Sequence, residues 1–432
     1  TRLGPGYGLT VDFAINYDTT KGFTSEAARN IYKAPAKSFP DWWHDFDGIV
    51  NNKVKNDSEY ASIMNGTWDV IHGNDMASGN YGWKNYGDFK ISASYTSTNG
   101  DGSTRRQQDW GGMQYDLGLG LLLSWMYTDN EDLWARAQAG VRSSMDVQIS
   151  KFDALTYKMS GAGLRKGDCN EGNSHWCQGP IPEFNYHTRS LLLYNHLTGE
   201  EWPKDIAHMV IDNSAYFAVS RRLWTAKSDR PLAWALHNLY YGAKVFPQGT
   251  NHLHNTSSYP NEEIMPIGSS YAEILNKLLV EYINQFELAG NRLVGAQPVW
   301  QAQIVDGLIM VLEGGLVDTE LEQDIRNIIY EAVTQLSANE TRITSNGDYE
   351  MMYQRVDPNA HHPVEIDVWE NAKNYGFFWL NSLQWVEQQG TPLVHSSEGL
   401  YQWLVPQFAG QSDGTRQWTA VMSFPMNYVE KR

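Results

Sequence analysis

The chain has 432 residues, with 33 Lys and Arg against 50 Asp and Glu, so its formal net charge is −17 at neutral pH. This charge argues against binding to nucleic acid or to an anionic membrane surface, because phosphate groups would be repelled. A hydrophobic share of 41% and 17 Trp argue against a disordered chain and indicate a large buried core. No apolar run approaches the roughly 18 residues that a membrane span requires.

Residues 1–60 are predicted to form a lead-in that packs on the main domain, and residues 61–432 are predicted to form one catalytic domain. Pro35 and Pro40 interrupt the lead-in before the run DWWHDFDGIV. The chain opens at Thr1 rather than at Met, so we expect a mature or trimmed product.

The first distinctive loop is YGWKNYGDF, residues 81–89. Its mixture of aromatic, amide and charged side chains suits the apolar face and the hydroxyls of a sugar. The alternative is a core loop filled by its own aromatic rings. We expect substrate contacts from this loop and from the later run DWGGMQYD, namely from Trp83, Lys84, Asn85, Asp88, Trp110 and Asp116.

An internal repeat follows. The segment that starts LLLSWMYTDNEDLW at Leu121 aligns with LLLYNHLTGEEWPK at Leu191, an offset of 70 residues. Each unit predicts an apolar helix, a short turn and an amphipathic helix. In the amphipathic helix of the first unit the apolar positions recur with helical spacing, at Leu133, Ala137, Val141 and Met145.

Further helices are predicted along the rest of the chain: a third pair at Ala302–Glu313 and Glu320–Leu336, and single helices at Pro231–Val245, Tyr271–Ala289 and Trp369–Gln388. No hairpin can bury its apolar face alone, so repeated pairs indicate an all-α-dominated α/α toroid or barrel of about six hairpins with minor β elements. Long loops are expected at Asp75–Asp109, Lys158–Asn185, Phe246–Pro266 and Asn339–Glu365. The tail Gly399–Arg432 is expected to add strands or a closing helix.

Two cysteines, Cys169 and Cys177, lie in the loop GDCNEGNSHWCQGP. We expect a disulfide, and therefore a secreted or periplasmic protein. The alternative is a pair of free thiols in a cytosolic protein. Zinc is less favoured because His175 lies between the cysteines without a fourth ligand at a familiar spacing, and we expect neither a metal nor a cofactor.

Asn185, Tyr186, His187 and Arg189 crowd the start of a predicted helix. Arg189 and Asn185 suit a carboxylate, while His187 or a Tyr can accept a proton. In the repeat alignment Tyr115 matches Asn185, so both loop-to-helix junctions are predicted to face one cavity. The alternative is a helix cap with a core-facing His and a surface Arg. Further substrate contacts are expected from Arg165, His175, Trp176 and His361.

The runs YGWKNYGDF, DWGGMQYDLGLGLLLSWMYTDN and EFNYHTRSLLLYNHLTGEE together resemble the catalytic toroid of exo-rhamnogalacturonan-lyase-like proteins, over roughly Tyr81–Asp212. The resemblance implies an α/α toroid that acts on an acidic, rhamnose- or uronate-bearing polysaccharide by β-elimination or hydrolysis. Members of that family carry large β-rich domains before the toroid, whereas this chain has only a short segment there. The matching positions are Trp83, Asn85, Asp88, Gln114, Tyr115, Asp116, Asn185 and His187.

We therefore expect a polysaccharide lyase that cleaves beside a uronic acid. Arg189, Arg165 and Lys84 would neutralise the carboxylate and so acidify the neighbouring C–H. His187 or Tyr115 would remove that proton, and a Tyr hydroxyl, such as that of Tyr186, would protonate the leaving oxygen. Two alternatives remain: an inverting glycoside hydrolase that uses an Asp/Glu pair, and a glycan-binding protein without catalysis.

Overall fold

The computed structural model describes residues 65–66, 69, 90–98, 104–110, 116–128, 130–153, 158–163, 187–219, 229–248, 268–288, 298–354 and 367–408. Ten α-helices lie in these ranges: α1 Leu117–Tyr127, α2 Glu131–Ser143, α3 Arg189–Thr198, α4 Glu201–Val219, α5 Asp229–Val245, α6 Tyr271–Leu288, α7 Pro298–Glu313, α8 Thr319–Gln335, α9 Leu380–Gln388 and α10 Ser397–Phe408. The strands in the same ranges are β1 Lys90–Thr98, β2 Thr104–Trp110, β3 Ile149–Asp153, β4 Lys158–Gly163, β5 Thr341–Ile343, β6 Tyr349–Gln354 and β7 Val368–Asn371. Helix dominates the described residues, as the sequence predicts.

Both units of the predicted repeat are helical hairpins, α1 with α2 and α3 with α4. The four positions predicted to face inward in the first unit are each 0% exposed: Leu133, Ala137, Val141 and Met145. The third predicted pair is present as α7 and α8. The helical spacing of apolar residues therefore identified these hairpins correctly.

Local sequence explains where the hairpin helices begin and end. The side chain of Asn130 accepts a hydrogen bond from the backbone N–H of Asp132 at 3.0 Å, which caps α2. Helix α3 ends at Gly199, whose φ of 73° is in the left-handed region that glycine adopts without strain. The turn to α4 is therefore short.

The hairpins stack in two layers. In the inner layer α1 contacts α3, α5 contacts α7, and α7 contacts α9, while in the outer layer α4 contacts α6 and α6 contacts α8. Neighbouring helices of a helical hairpin run antiparallel, so alternate helices in such a stack are expected to run parallel, with the inner helices starting at one end.

The inner helices are buried on all sides, as α1 shows. Leu121, Leu122, Leu123 and Trp125 are all 0% exposed, and full burial stabilises a leucine by about 1.5–3 kcal/mol. Gly118 permits the close approach of α1 to its neighbours, since a Cβ there would lie 3.0 Å from Val141 and 3.2 Å from Ser190. No described helix is both long enough and apolar enough to cross a bilayer.

Small antiparallel sheets occupy segments that the sequence analysis treated as long loops. Strands β1 and β2 form a hairpin within the predicted loop Asp75–Asp109, and strands β5 and β6 lie within the predicted loop Asn339–Glu365. Strand β3 pairs with β4, which packs on α4, while β6 packs on α7. Strands β4 and β6 therefore join their sheets to the helical stack.

The predicted helix Trp369–Gln388 is wrong in its first half. Residues 368–371 form β7, which pairs with β6, and two 3₁₀ turns at Ala372–Asn374 and Gly376–Trp379 precede α9. Pairing with a distant strand supplies backbone hydrogen bonds that local helical periodicity does not reveal. The tail contributes α10, a helix at its start, and residues 1–60 and 409–432 lie outside the described residues.

Candidate active site at the starts of the inner helices

Asp116 joins the starts of two inner helices. Its Oδ1 accepts a hydrogen bond from the backbone N–H of Leu119 at 3.3 Å, which caps α1. Its Oδ2 accepts from the backbone N–H of Ser190 at 3.1 Å, in the first turn of α3. Asp116 has a φ of 54°, a left-handed conformation that Asp tolerates better than most residues. The carboxylate, 7% exposed, therefore holds the two junctions together.

The residues that precede α3 face α5. The ring of His187 meets that of Trp234 nearly edge-on, with centroids 4.3 Å apart. Thr188 Oγ1 donates to Asn238 Oδ1 at 3.0 Å, and Asn238 Nδ2 donates to Ser214 Oγ at 3.0 Å. His187 is 9% exposed. These contacts fix its ring at the junction of α3 with α5.

A second histidine, His237, lies one turn after Trp234 in α5 and faces α7. Its Nε2 is 3.8 Å from Asp306 Oδ2, and Asp306 Oδ1 accepts a hydrogen bond from Asn381 Nδ2 at 2.6 Å. A Cβ on Gly307 would lie 3.1 Å from the His237 ring, so glycine permits this approach. Helices α5, α7 and α9 thus each place a polar side chain in one largely buried cluster.

The electrostatics of this cluster keep His237 uncharged. Burial, together with smaller effects of the positive guanidinium of Arg189 and of His187, lowers the pKa of His237 to about 3. Burial also raises the pKa of Tyr241 above the usual range for tyrosine, and Arg189 opposes this rise only in part. At neutral pH the cluster therefore contains a neutral imidazole, a protonated phenol and the Arg189 cation.

This arrangement suits proton transfer beside an anion. Arg189 supplies positive charge at the start of α3, where the helix dipole adds to it. His187 lies two residues away in the chain, and neutral imidazole is a competent proton acceptor. Because His187 is buried, charge–charge interactions at its ring are stronger than in water.

Three residues predicted for the site lie in this region: Asp116, His187 and Arg189. Trp110 is the last residue of β2, where its backbone is paired with that of Lys90. The remaining predicted residues lie outside the described ranges, namely Trp83, Lys84, Asn85, Asp88, Gln114, Tyr115, Arg165, Cys169, His175, Trp176, Cys177, Asn185, Tyr186 and His361.

The apolar pattern of the later inner helices does not reveal the polar residues inside them. Trp234, His237 and Tyr241 lie in α5, Asp306 lies in α7, and Asn381 lies in α9. Each belongs to a helix that the apolar pattern assigns to the core. The available signal was the polar residue itself, because a buried helix rarely carries an ionisable side chain without a partner.

Within the described ranges, no group of three or more His, Cys, Asp or Glu side chains is arranged to hold a metal ion. No protein-family model matches the chain, and no curated protein matches it. The function is therefore inferred from the chemistry of the site.

Proposed function

We propose that this protein is a polysaccharide lyase that cleaves an acidic, uronate-containing polysaccharide by β-elimination. The observation that carries the proposal is the convergence of His187, Arg189 and His237 from two neighbouring inner helices. An anionic substrate that loses a proton requires a cation to pair with its charge and a base to accept the proton. Arg189 supplies the cation, and the histidines supply imidazole groups. The resemblance to exo-rhamnogalacturonan-lyase-like proteins agrees with this chemistry.

The reaction assigns separate tasks to Arg189, to His187 and to a tyrosine. Arg189 pairs with the uronate carboxylate, which stabilises the negative charge that develops when the adjacent C–H loses its proton. His187 accepts that proton. The electron pair of the C–H bond forms a C=C bond, and the glycosidic C–O bond breaks. A tyrosine, Tyr115 or Tyr186, donates a proton to the leaving oxygen.

We further propose that the hairpins close into an α/α toroid around a cleft. The support is the inner layer, in which α1 contacts α3, α5 contacts α7 and α7 contacts α9. In a toroid the first and last hairpins would pack against each other, as neighbouring hairpins do within the stack. It would also bring the loops that the sequence analysis assigns to sugar binding to the same end as His187.

The proposal includes export from the cytosol and a disulfide between Cys169 and Cys177. It is supported by two cysteines in one Gly- and Asn-rich loop. A thiol titration of the unfolded protein tests the disulfide. We expect no free thiol before reduction and two after it, whereas two before reduction would contradict it.

A glycoside hydrolase is the second candidate, because Asp306 is a largely buried carboxylate on an inner helix, 3.8 Å from His237. Asp116 is less suited to acid–base work, since both of its oxygens accept backbone hydrogen bonds. A non-catalytic glycan-binding protein is the third.

One assay separates the three candidates. The protein is incubated with a panel of uronate-containing polysaccharides, and ultraviolet absorbance and new reducing ends are both recorded. A lyase raises both signals because its product contains a C=C bond conjugated to the carboxylate. A hydrolase raises reducing ends alone, and binding without either signal indicates a glycan-binding protein. The last two outcomes would each contradict the proposed lyase activity.

A further inference from the structure

A chain of buried side-chain hydrogen bonds holds the segment that carries His187. Thr188 Oγ1 donates to Asn238 Oδ1 at 3.0 Å, and Asn238 Nδ2 donates to Ser214 Oγ at 3.0 Å. Ser214 Oγ in turn donates to the backbone oxygen of Val210 at 2.9 Å. Thr188 is 1% exposed, Asn238 is 2% exposed and Ser214 is 0% exposed, so bulk water has little access to these bonds.

The direction of this chain follows from its far end. A serine hydroxyl has one hydrogen, and Ser214 donates it to Val210 within α4. Ser214 Oγ is therefore an acceptor for Asn238, whose NH₂ group must face it. The amide oxygen of Asn238 then faces Thr188, and the Thr188 hydroxyl donates to it. The outer helix α4 thus determines which atom of Asn238 meets Thr188.

Thr188 is available for this bond because another residue caps its helix. A threonine directly before a helix usually caps it by accepting a hydrogen bond from a backbone N–H of the first turn. Within the described part of α3, the Thr188 side chain makes no capping hydrogen bond. The backbone N–H of Ser190 in that turn donates instead to Asp116 Oδ2. The Thr188 hydroxyl therefore bonds to α5 rather than to its own helix.

Helix α5 contacts two successive residues of this segment from one face. Trp234 and Asn238 are four residues apart, a spacing that places them on the same face of a helix. The Trp234 ring lies 4.3 Å from the His187 ring between centroids, and Asn238 bonds to Thr188. The first contact restrains the imidazole, and the second restrains the residue that follows it in the chain.

The position of a general base affects the rate strongly. A base acts only within hydrogen-bond reach of the proton that it accepts, and a displacement of about 1 Å can slow a reaction by up to about 100-fold. Loss of the Thr188–Asn238 bond would release one of the restraints on His187. The bond between Asp116 and Ser190 would still hold the start of α3, and with it Arg189.

We infer that Thr188 and Asn238 are positioning residues for the proposed base, and that their hydrogen bond sets where the His187 ring lies. The inference rests on the proposed lyase reaction and adds to it a dependence of proton abstraction on α5. Because Arg189 keeps its own support, loss of the bond should lower kcat and leave KM nearly unchanged.

The kinetic test compares Thr188→Val, Thr188→Ser and the control Thr198→Val. Valine has the shape of threonine without its hydroxyl, whereas serine retains the hydroxyl. Thr198 is a suitable control because its hydroxyl bonds to the backbone oxygen of Tyr194 at 2.7 Å, at the opposite end of α3. We expect kcat of Thr188→Val to fall about tenfold with KM within about twofold of wild type. Thr188→Ser should restore kcat, and Thr198→Val should keep it.

An NMR signal of the resting protein separates positioning from a loss of stability. The His187 ring lies nearly edge-on to the Trp234 ring, so the ring current of the indole shifts the His187 signal by an amount that depends on their separation. Selective ¹³C labelling of histidine displays the ring signals, and His187→Asn identifies the one that belongs to His187. We expect this signal to move in Thr188→Val and to stay in place in Thr188→Ser and Thr198→Val.

All measurements are made at a temperature where circular dichroism shows each variant to be folded. An unchanged kcat or an unchanged His187 signal in Thr188→Val would overturn the inference, and so would failure of Thr188→Ser to restore both. If Thr188→Val does not fold, Ser214→Ala takes its place. This variant removes the hydroxyl at the far end of the chain, and the same fall in kcat and the same movement of the signal are expected.

The two proposals fail separately. If wild type forms no unsaturated product, the lyase is rejected, and the His187 signal alone decides whether Thr188 positions the ring. Unsaturated product from wild type, together with a His187 signal that is the same in Thr188→Val, would retain the lyase and reject the positioning role.

Discussion

Asp116 Oδ2 accepts a hydrogen bond from the backbone N–H of Ser190, 74 residues later in the chain, at 3.1 Å. The two residues begin corresponding helices of the internal repeat, α1 and α3. One carboxylate thus sets the position of the segment that carries His187 and Arg189. The repeat is consequently more than a packing unit, because its symmetry brings two helix starts to the same place.

Replacing Asp116 tests this connection. Asp116→Ala loses the cap of α1 and the bond to Ser190, and it places Ala in a left-handed conformation. We expect a loss of about 2–4 kcal/mol in the free energy of unfolding, measured with urea. Asp116→Gly loses the same bonds without the backbone strain, so it should be about 1 kcal/mol more stable than Asp116→Ala. Equal stability of the two variants would contradict the left-handed backbone.

His187→Ala tests the proposed base. We expect kcat/KM on the cleaved polysaccharide to fall at least about 100-fold, the usual range for a lost general base. His196→Ala is the matched control, since His196 lies in the last turn of the same helix, α3, at its opposite end. Turnover near that of wild type in His187→Ala would remove His187 from the mechanism.

Because the pKa of His237 is lowered in the folded state, we expect the stability of the protein to fall at acidic pH. Its pKa is lowered to about 3 by burial, whereas an unfolded histidine titrates near 6.5. Between these values only the unfolded state binds the proton, so lower pH favours unfolding. Above pH ~6.5 His237 does not change the free energy of unfolding with pH. Between pH ~6.5 and pH ~3 it lowers that free energy by about 1.4 kcal/mol for each pH unit of acidification.

Comparison with His237→Gln isolates this contribution from that of the carboxylates. Urea unfolding from pH 7 to pH 5 should give a shallower loss of stability in His237→Gln than in wild type. Parallel profiles would show that His237 is not buried in its neutral form.

We expect the hydrogen bonds of the Tyr271 hydroxyl to stabilise the folded protein, at the start of α6. Its hydroxyl donates to Asp212 Oδ1 at 2.6 Å and lies 2.8 Å from His208 Nε2, which joins the start of α6 to α4. Burial and Asp212 raise its pKa, so it stays a donor at neutral pH. Tyr271→Phe should cost about 1–2 kcal/mol in urea unfolding.

Activity provides the second measurement on this variant. Because Tyr271 is distant from His187 along the helices, Tyr271→Phe should retain kcat/KM under conditions where it is folded. Tyr330→Phe, on the half-buried face of α8, is the control for loss of a tyrosine hydroxyl. Equal stability of Tyr271→Phe and Tyr330→Phe would contradict the role assigned to the bonds.

The sequence was sufficient wherever neighbouring residues decide the structure. The apolar positions Leu133, Ala137 and Val141 predicted a buried helix face, and all three are fully buried. The sequence likewise predicted a helix that starts near His187 and Arg189, and α3 begins at Arg189. These features depend on helical periodicity and on residues close in sequence.

Other features depended on partners far along the chain. Trp369 was predicted to be helical but lies in β7, where its backbone pairs with β6 and its ring receives the Arg342 guanidinium at 4.2 Å. The pairing energy of a strand comes from residues distant in sequence, so periodicity within one segment does not show it.

The same reason explains the unforeseen part of the site. His237 and Asp306 are isolated polar residues within apolar helices, and nothing local relates one to the other. Only the packing of α5 on α7, made close by Gly307, brings the imidazole and the carboxylate to 3.8 Å. The sequence alone determined the helical hairpins and the start of α3, because short-range spacing encodes both. The tertiary structure decided which buried polar groups meet, because their meeting depends on how whole helices pack.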